Sequence, residues 1–262
     1  MRVFITGASS GIGAALARRF AARGDTLGLV ARNKDKLEAF AASLPNASQH
    51  TCYALDVTQR DALIAASEDF DANGATDLVV ACAGISIGVK TEFREDLDVL
   101  ERVYRTNVFA MANTFHGFIG PMKKRGYGHF VGIGSVAGIR GLPGSEAYCS
   151  SKAAVISYLE SLRNDVRPYG IKVTTLSPGF VKTPLTAKNP YKMPFLMEPD
   201  EFAAVALAAI DSQVRYKTIP WQMGVLAKIL RILPPALFDA CVAGRKQKPR
   251  DKELHPDSPS VH

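Results

Sequence analysis

The sequence predicts an α/β fold: a doubly wound, Rossmann-type parallel sheet of about seven strands with helices on both faces. Three observations carry this reading. Short apolar runs alternate with stretches of helical periodicity along most of the 262 residues. The first run passes straight into a glycine-rich turn and then an alanine-rich amphipathic stretch. The hydrophobic fraction, 47%, is that of a globular chain, and the length suits one domain with a full core.

The strand-like runs are Arg2–Thr6, Thr26–Ala31, Gln49–Asp56, Leu78–Ala83, Gly128–Ser135, Lys172–Ser177 and Lys217–Trp221. Right-handed crossovers between parallel strands make the sheet doubly wound, which puts a ligand at its carboxyl edge. Residues 1–221 are expected to form this domain, 222–250 an amphipathic basic extension, and 251–262 a disordered polar tail.

The turn after the first strand is Thr6-Gly7-Ala8-Ser9-Ser10-Gly11-Ile12-Gly13, and helix follows from Ala14 to Arg23. Gly7 permits the tight turn, Gly11 lets the backbone approach a pyrophosphate, and Gly13 lets the helix pack close to the strand. Free N–H groups of Ser10, Gly11, Ile12 and Gly13 then face the phosphates. The second strand ends Ala31-Arg32, with no acid to take a ribose 2′-hydroxyl. A guanidinium there would pair with a 2′-phosphate, so NADP(H) is the expected cofactor, with Ser9 and Lys36 adding contacts.

Tyr148 and Lys152 stand four residues apart, on one face of a helix, and Ser135 lies thirteen residues before the tyrosine. An ammonium beside a phenol favours the phenolate and is expected to lower the tyrosine pKa. Such a tyrosine exchanges a proton with a carbonyl oxygen, while Ser135 hydrogen-bonds the same oxygen.

Together, Thr6–Gly13, Asp56-Val57, Ala83-Gly84, Asn107, Ser135, Tyr148, Lys152 and Pro178-Gly179 resemble the short-chain dehydrogenase/reductase family, in order and at its usual intervals, over about residues 1–220. The resemblance implies catalytic roles for Asn107, Ser135, Tyr148 and Lys152. Tyr148 would protonate the carbonyl oxygen. Lys152 would hold the nicotinamide ribose, and the Asn107 backbone would hold a relay water. The resemblance also implies that Asp56 and Val57 meet the adenine, Ala83 and Gly84 the ribose, and Pro178, Gly179 and Thr183 the nicotinamide end. Many members carry two asparagines where this chain has Ala81 and Cys82.

The loop after Thr183 carries Leu185, Tyr191, Met193, Pro194, Phe195, Leu196 and Met197, and few charges, as a cover over an apolar substrate would. Gly138–Gly144 forms a second expected wall, with Ile139 and Leu142 inward. The expected substrate is a small hydrophobic ketone, aldehyde or alcohol. A 3-oxoacyl thioester reductase and a non-catalytic NADP-binding redox sensor are the alternatives.

Met223–Leu233 is expected to be an amphipathic helix stopped by Pro234-Pro235. A second apolar stretch, Ala236–Ala243, precedes the basic run Arg245-Lys246-Gln247-Lys248-Pro249-Arg250. Residues 222–250 hold six Lys or Arg against one Asp, a net +5 of the chain's +7. This suits either an anionic membrane surface or a homodimer or homotetramer interface with a solvated basic tail. Basic residues without interleaved aromatics argue against nucleic acid. Cys52, Cys82, Cys149 and Cys241 and the five histidines show no metal-ligand spacing or disulfide framework. Without a signal sequence or a spanning apolar run, the expected location is the cytoplasm, either free or peripheral at the inner face of the membrane.

Overall fold

Seven strands form one parallel sheet: β1 (Arg2–Thr6), β2 (Thr26–Ala31), β3 (Thr51–Ala54), β4 (Leu78–Ala81), β5 (Gly128–Ile133), β6 (Ile171–Pro178) and β7 (Tyr216–Ile219). They are seen in a computed structural model whose described residues are 1–254. The lateral order is β3-β2-β1-β4-β5-β6-β7. The chain therefore builds outward from β1 on one side and resumes with β4 on the other. The β1/β4 boundary is the switch point where a crevice opens.

Among the described residues, ten helices connect and extend the sheet: α1 (Gly11–Ala22), α2 (Lys34–Ala42), α3 (Arg60–Ala72), α4 (Glu95–Tyr104), α5 (Ala110–Arg125), α6 (Glu146–Val166), α7 (Pro199–Asp211), α8 (Trp221–Ile232), α9 (Pro235–Val242) and α10 (Asp251–Leu254). One core layer joins Leu16 and Phe20 of α1, Leu37 of α2 and Phe202 of α7 to the sheet. The opposite layer joins Leu63 and Phe70 of α3, Phe115 and Phe118 of α5, and Val155 and Leu159 of α6. In that layer the Phe4 ring lies 5.0–5.8 Å from the rings of Tyr53, Phe70 and Phe118. Gly28 of β2 makes room: a Cβ there would stand 2.7 Å from Phe4 and 2.8 Å from Phe70. Burying each such aromatic contributes about 2–3 kcal/mol.

The strand ends differ from expectation where side chains or proline replace the ladder. β3 begins at Thr51 because Ala47–Gln49 wind into a 3₁₀ turn. β4 stops at Ala81, since the next two N–H groups donate to Thr6 Oγ1 at 3.2 and 3.4 Å. β7 stops at Ile219 because Pro220 has no N–H, and Trp221 already begins α8.

The carboxyl-terminal segment departs furthest. Pro235 opens α9 as well as ending α8, a first-turn position where its missing N–H costs nothing. The basic run is solvated only in its first half: Arg245, Lys246 and Gln247 are exposed, whereas Lys248 and Arg250 are 6% and 9% exposed. Arg250 donates to both carboxylate oxygens of buried Asp96, at 2.6 and 3.1 Å, and to Glu95 at 3.0 Å. Its guanidinium stacks on Phe93. The Gly88 N–H donates to the Pro249 carbonyl at 3.1 Å. Residues 244–250 thus form a strap across the molecule. Asp251–Leu254 are helical where a disordered tail was expected, and the remainder of that tail lies outside the described residues.

Candidate active site

The glycine turn is shaped by contacts that exclude a side chain. Gly7 has φ +71°, and a Cβ there would stand 2.9 Å from the backbone of Ala83, so the chain ends of β1 and β4 approach as closely as backbones can. A Cβ on Gly13 would run into the Gly7 carbonyl, which seats the start of α1 against the turn. Gly11 has φ +53° and faces the Thr183 methyl, where a Cβ would lie 3.1 Å away. Ser10 precedes α1 in extended conformation without capping it, which leaves the first N–H groups of the helix to an outside partner.

These groups border a cavity of about 530 Å³ at the switch point. Its walls include Gly7, Ser10, Gly11, Ile12 and Gly13 on one side, with Arg32 at the end of β2. Ala83 and Gly84, Pro178 and Gly179, and Thr183 close it from the other strands. Ser135, Tyr148 and Lys152 stand at its inner end. The size, the free helix N-terminus and the Cβ-free cradle fit a dinucleotide.

Four expected contacts lie outside this wall. Val57 is 6% exposed and packed in the core beside the sheet. Asp56 accepts from the Thr58 N–H and hydroxyl, both at 2.8 Å, which fixes the turn after β3. It also lies 3.9 Å from exposed Arg32. Ser9 does not border the cavity. Lys36 uses its backbone N–H to complete the Asn33 cap of α2.

Asn107 stands behind the cavity rather than in it. α4 and α5 are joined by one π-turn, Arg105–Phe109, which pushes this fully buried side chain out of helical register. Its Oδ1 accepts from the Ile85 N–H at 2.8 Å, and its Nδ2 donates to the Ile85 carbonyl and to Ser151 Oγ, both at 3.0 Å. The asparagine thus fixes the segment after β4 against α6.

Ser135 caps a short 3₁₀ turn, accepting from the Ala137 N–H at 3.1 Å. That bond holds the side chain while its own O–H remains able to donate. Tyr148 and Lys152 lie in the first two turns of α6. Lys152 donates to the Ile133 carbonyl at the end of β5, at 2.8 Å, with Nζ 5.9 Å from the Tyr148 ring centre. Burial pushes the phenol up to about 12, with Ser135 alone opposing. The expected lowering by Lys152 is absent: desolvation sets the direction, and the ammonium bonds the Ile133 carbonyl instead. Burial also brings Lys152 down to about 8, opposed by Cys82. Cys149 is buried, and desolvation raises its thiol.

A second cavity, about 170 Å³, shares Ser135, Tyr148 and Gly179 with the first and extends away from it. Ile139, Leu142, Leu185, Tyr191 and Pro194 border it as expected. Phe195 and Leu196 do not: they are 51% and 44% exposed, on the outer side of the loop. Met197 instead pairs its backbone with Phe180 and Lys182 and packs on the core, and Met193 is not among the walls. The sequence reading missed Ser86, Phe180 and Thr186, and the strap residues Arg245, Lys246 and Lys248. It also missed that Leu226 and Leu230 of α8 border this cavity, Leu226 while still 37% exposed. Their four-residue spacing was the available signal.

Residues 1–193 match the family model described as short chain dehydrogenase. An oxidoreductase of Myxococcus xanthus is 39% identical over 241 residues, covering 90% of this chain and 94% of that one. The short-chain dehydrogenase of Sphingobium yanoikuyae, solved in complex with NADPH, superimposes with a TM-score of 0.75 at 30% identity over 90% of this chain and 97% of that one. A 3-oxoacyl-[acyl-carrier protein] reductase of Brucella melitensis gives 0.72 at 29% identity, covering 83% and 89%. With the glycine cradle, the serine, the tyrosine and the lysine gathered at one crevice, the chain belongs to the short-chain dehydrogenase family of oxidoreductases.

Proposed function

We propose that this oxidoreductase is an NADP(H)-dependent reductase of a hydrophobic ketone or aldehyde, with Tyr148 as general acid. The observation that carries the reading is the shared wall. Ser135 and Tyr148 border both the dinucleotide-sized cavity and the smaller apolar one. A carbonyl lying in the smaller cavity would meet both hydroxyls at the junction.

When bound, the cofactor supplies the hydride. Ser135 orients and polarises the carbonyl oxygen. Tyr148 donates the proton that the developing alkoxide needs, and a phenol pushed up to about 12 is held protonated for that task at neutral pH. Lys152, below its own pKa of about 8, keeps positive charge at the junction. Asn107 acts at one remove, by fixing Ile85 and Ser151. Support for NADP(H) over NAD(H) is Arg32, a cation at the end of β2 bordering the cavity where an acid would repel a 2′-phosphate. The NADPH-bound relative agrees with this choice.

The test is NADPH oxidation by the purified protein against ketones, aldehydes and 3-oxoacyl thioesters. Tyr148→Phe should lower turnover by about a thousandfold or more while NADPH affinity stays within about twofold. Unchanged turnover would refute the assignment. Preference for thioesters would favour the reductase of acyl thioesters, and tight NADPH binding without any turnover would favour the redox sensor. Arg32→Asp should weaken NADPH at least about tenfold more than NADH, measured by fluorescence titration. Equal weakening would overturn the cofactor choice.

A further inference from the structure

The smaller cavity is apolar over most of its wall, yet four cations border it: Arg140, Arg245, Lys246 and Lys248. No Asp or Glu does. Lys248 is the most enclosed of the four. Its Nζ donates to Ser86 Oγ at 2.8 Å and to the Leu185 carbonyl at 3.1 Å. Both acceptors are neutral, and an ammonium carries three donors, so one N–H remains. Among the described residues no carboxylate pairs with it.

Lys248 is not the only anchor of the strap. Two residues on, Arg250 already anchors it through Asp96 and Glu95. The same segment therefore gives one buried cation two carboxylates and the other none. An enclosed ammonium without a counter-charge is costly, and an anion brought in by a ligand offsets that cost. Burial, with Lys188 adding repulsion, holds the Lys248 ammonium down to about 8, so it remains charged at neutral pH.

We propose that the substrate is amphipathic: an apolar carbonyl compound bearing a carboxylate or phosphate that pairs with Lys248, with Arg245 and Lys246 beside it. This rests on the reductase reading for the carbonyl, but the anion site is testable without it. The polar end lies toward the strap and the carbonyl toward Ser135 and Tyr148.

The experiment is calorimetric titration of the full-length protein, saturated with NADPH, with decanoate, decyl phosphate, methyl decanoate and decanol. At least one of the two anions should bind at least about tenfold tighter than both neutral ligands, and which anion binds better separates carboxylate from phosphate. Lys248→Met should reduce that ratio to near one, and Lys248→Arg should retain it. Equal binding of all four ligands by the wild type overturns the proposal. So does Lys248→Met weakening anions and neutral ligands alike, the result expected of a lysine that merely supports the strap. A parallel assay follows NADPH oxidation with medium-chain oxo acids and their methyl esters, the ketone placed progressively farther from the carboxylate. The acids should be favoured through KM rather than kcat. If nothing is reduced while decanoate or decyl phosphate still binds with a Lys248-dependent preference, the reductase reading falls and the anion site stands.

Discussion

Lys152 is enclosed by neutral groups: the Ile133 carbonyl holds its ammonium, and Tyr148 and Cys82 stand nearest among titratable side chains. Its pKa is lowered to about 8, so it is charged below that pH and neutral above it. If that charge assists reduction, kcat/KM for a neutral ketone should be level below pH ~8 and fall tenfold per unit above it. Lys152→Arg, which does not titrate there, should lose the falling limb. A level wild-type profile through this range would remove the lysine charge from the mechanism. The tyrosine–lysine spacing was legible because four residues in a helix is a local fact. The direction of the tyrosine shift was not, because desolvation depends on the segments that enclose the phenol, and these come from distant parts of the chain. Asn107 shows the same division: its place in the chain was recognisable, while the π-turn that swings it onto Ile85 lies where α4 packs against α6, a contact between distant parts of the chain.

Among the elements, the strands and helices through β7 were legible from alternation and from the glycine turn. The strap was not. Its anchor pairs Arg250 with Asp96 across 154 positions, and no local periodicity announces such a bond. Read locally, Arg245–Arg250 is a charge run, and charge runs ordinarily face water. Gly88 is the counterpart that makes the strap possible, since a Cβ there would run into the Lys248 carbonyl and lie 2.7 Å from that of Pro249. Gly88→Ala should therefore lift the strap. Trypsin cleavage after Arg245 and Lys246 should accelerate by about tenfold or more, with little change in the global unfolding midpoint. Cleavage at the wild-type rate would mean the strap tolerates the methyl.

For the whole molecule, the outer surface of α8 and α9 is the feature the globular core leaves unused. Trp221 and Ile232 are 68% and 80% exposed, with Ile229 and Leu237 at 50% and 56%. No described helix is long and apolar enough to cross a membrane. Lys228 lies on this helix, but Lys248 and Arg250 are drawn inward, so the basic charge available outside is smaller than the sequence suggested. The apolar face with its flanking lysine fits an anionic bilayer surface. Ile229→Glu with Ile232→Glu should reduce co-sedimentation with anionic vesicles by about tenfold. A wild-type protein that ignores vesicles and forms a dimer broken by the same pair would assign the face to a second copy instead. Point variants are required, because removing residues 222–262 would also remove walls of both cavities.

That sharing has a kinetic side. Lys248 borders the smaller cavity, while Asp251 and Leu254, just beyond the Arg250 anchor, border the larger one. One short segment thus stands at two doorways. A rearrangement that frees one occupant disturbs the hold on the other, so arrivals and departures at the two cavities are not independent events. If release at either cavity requires this segment to move, the length of a catalytic cycle would depend on that motion as well as on the chemistry beneath it.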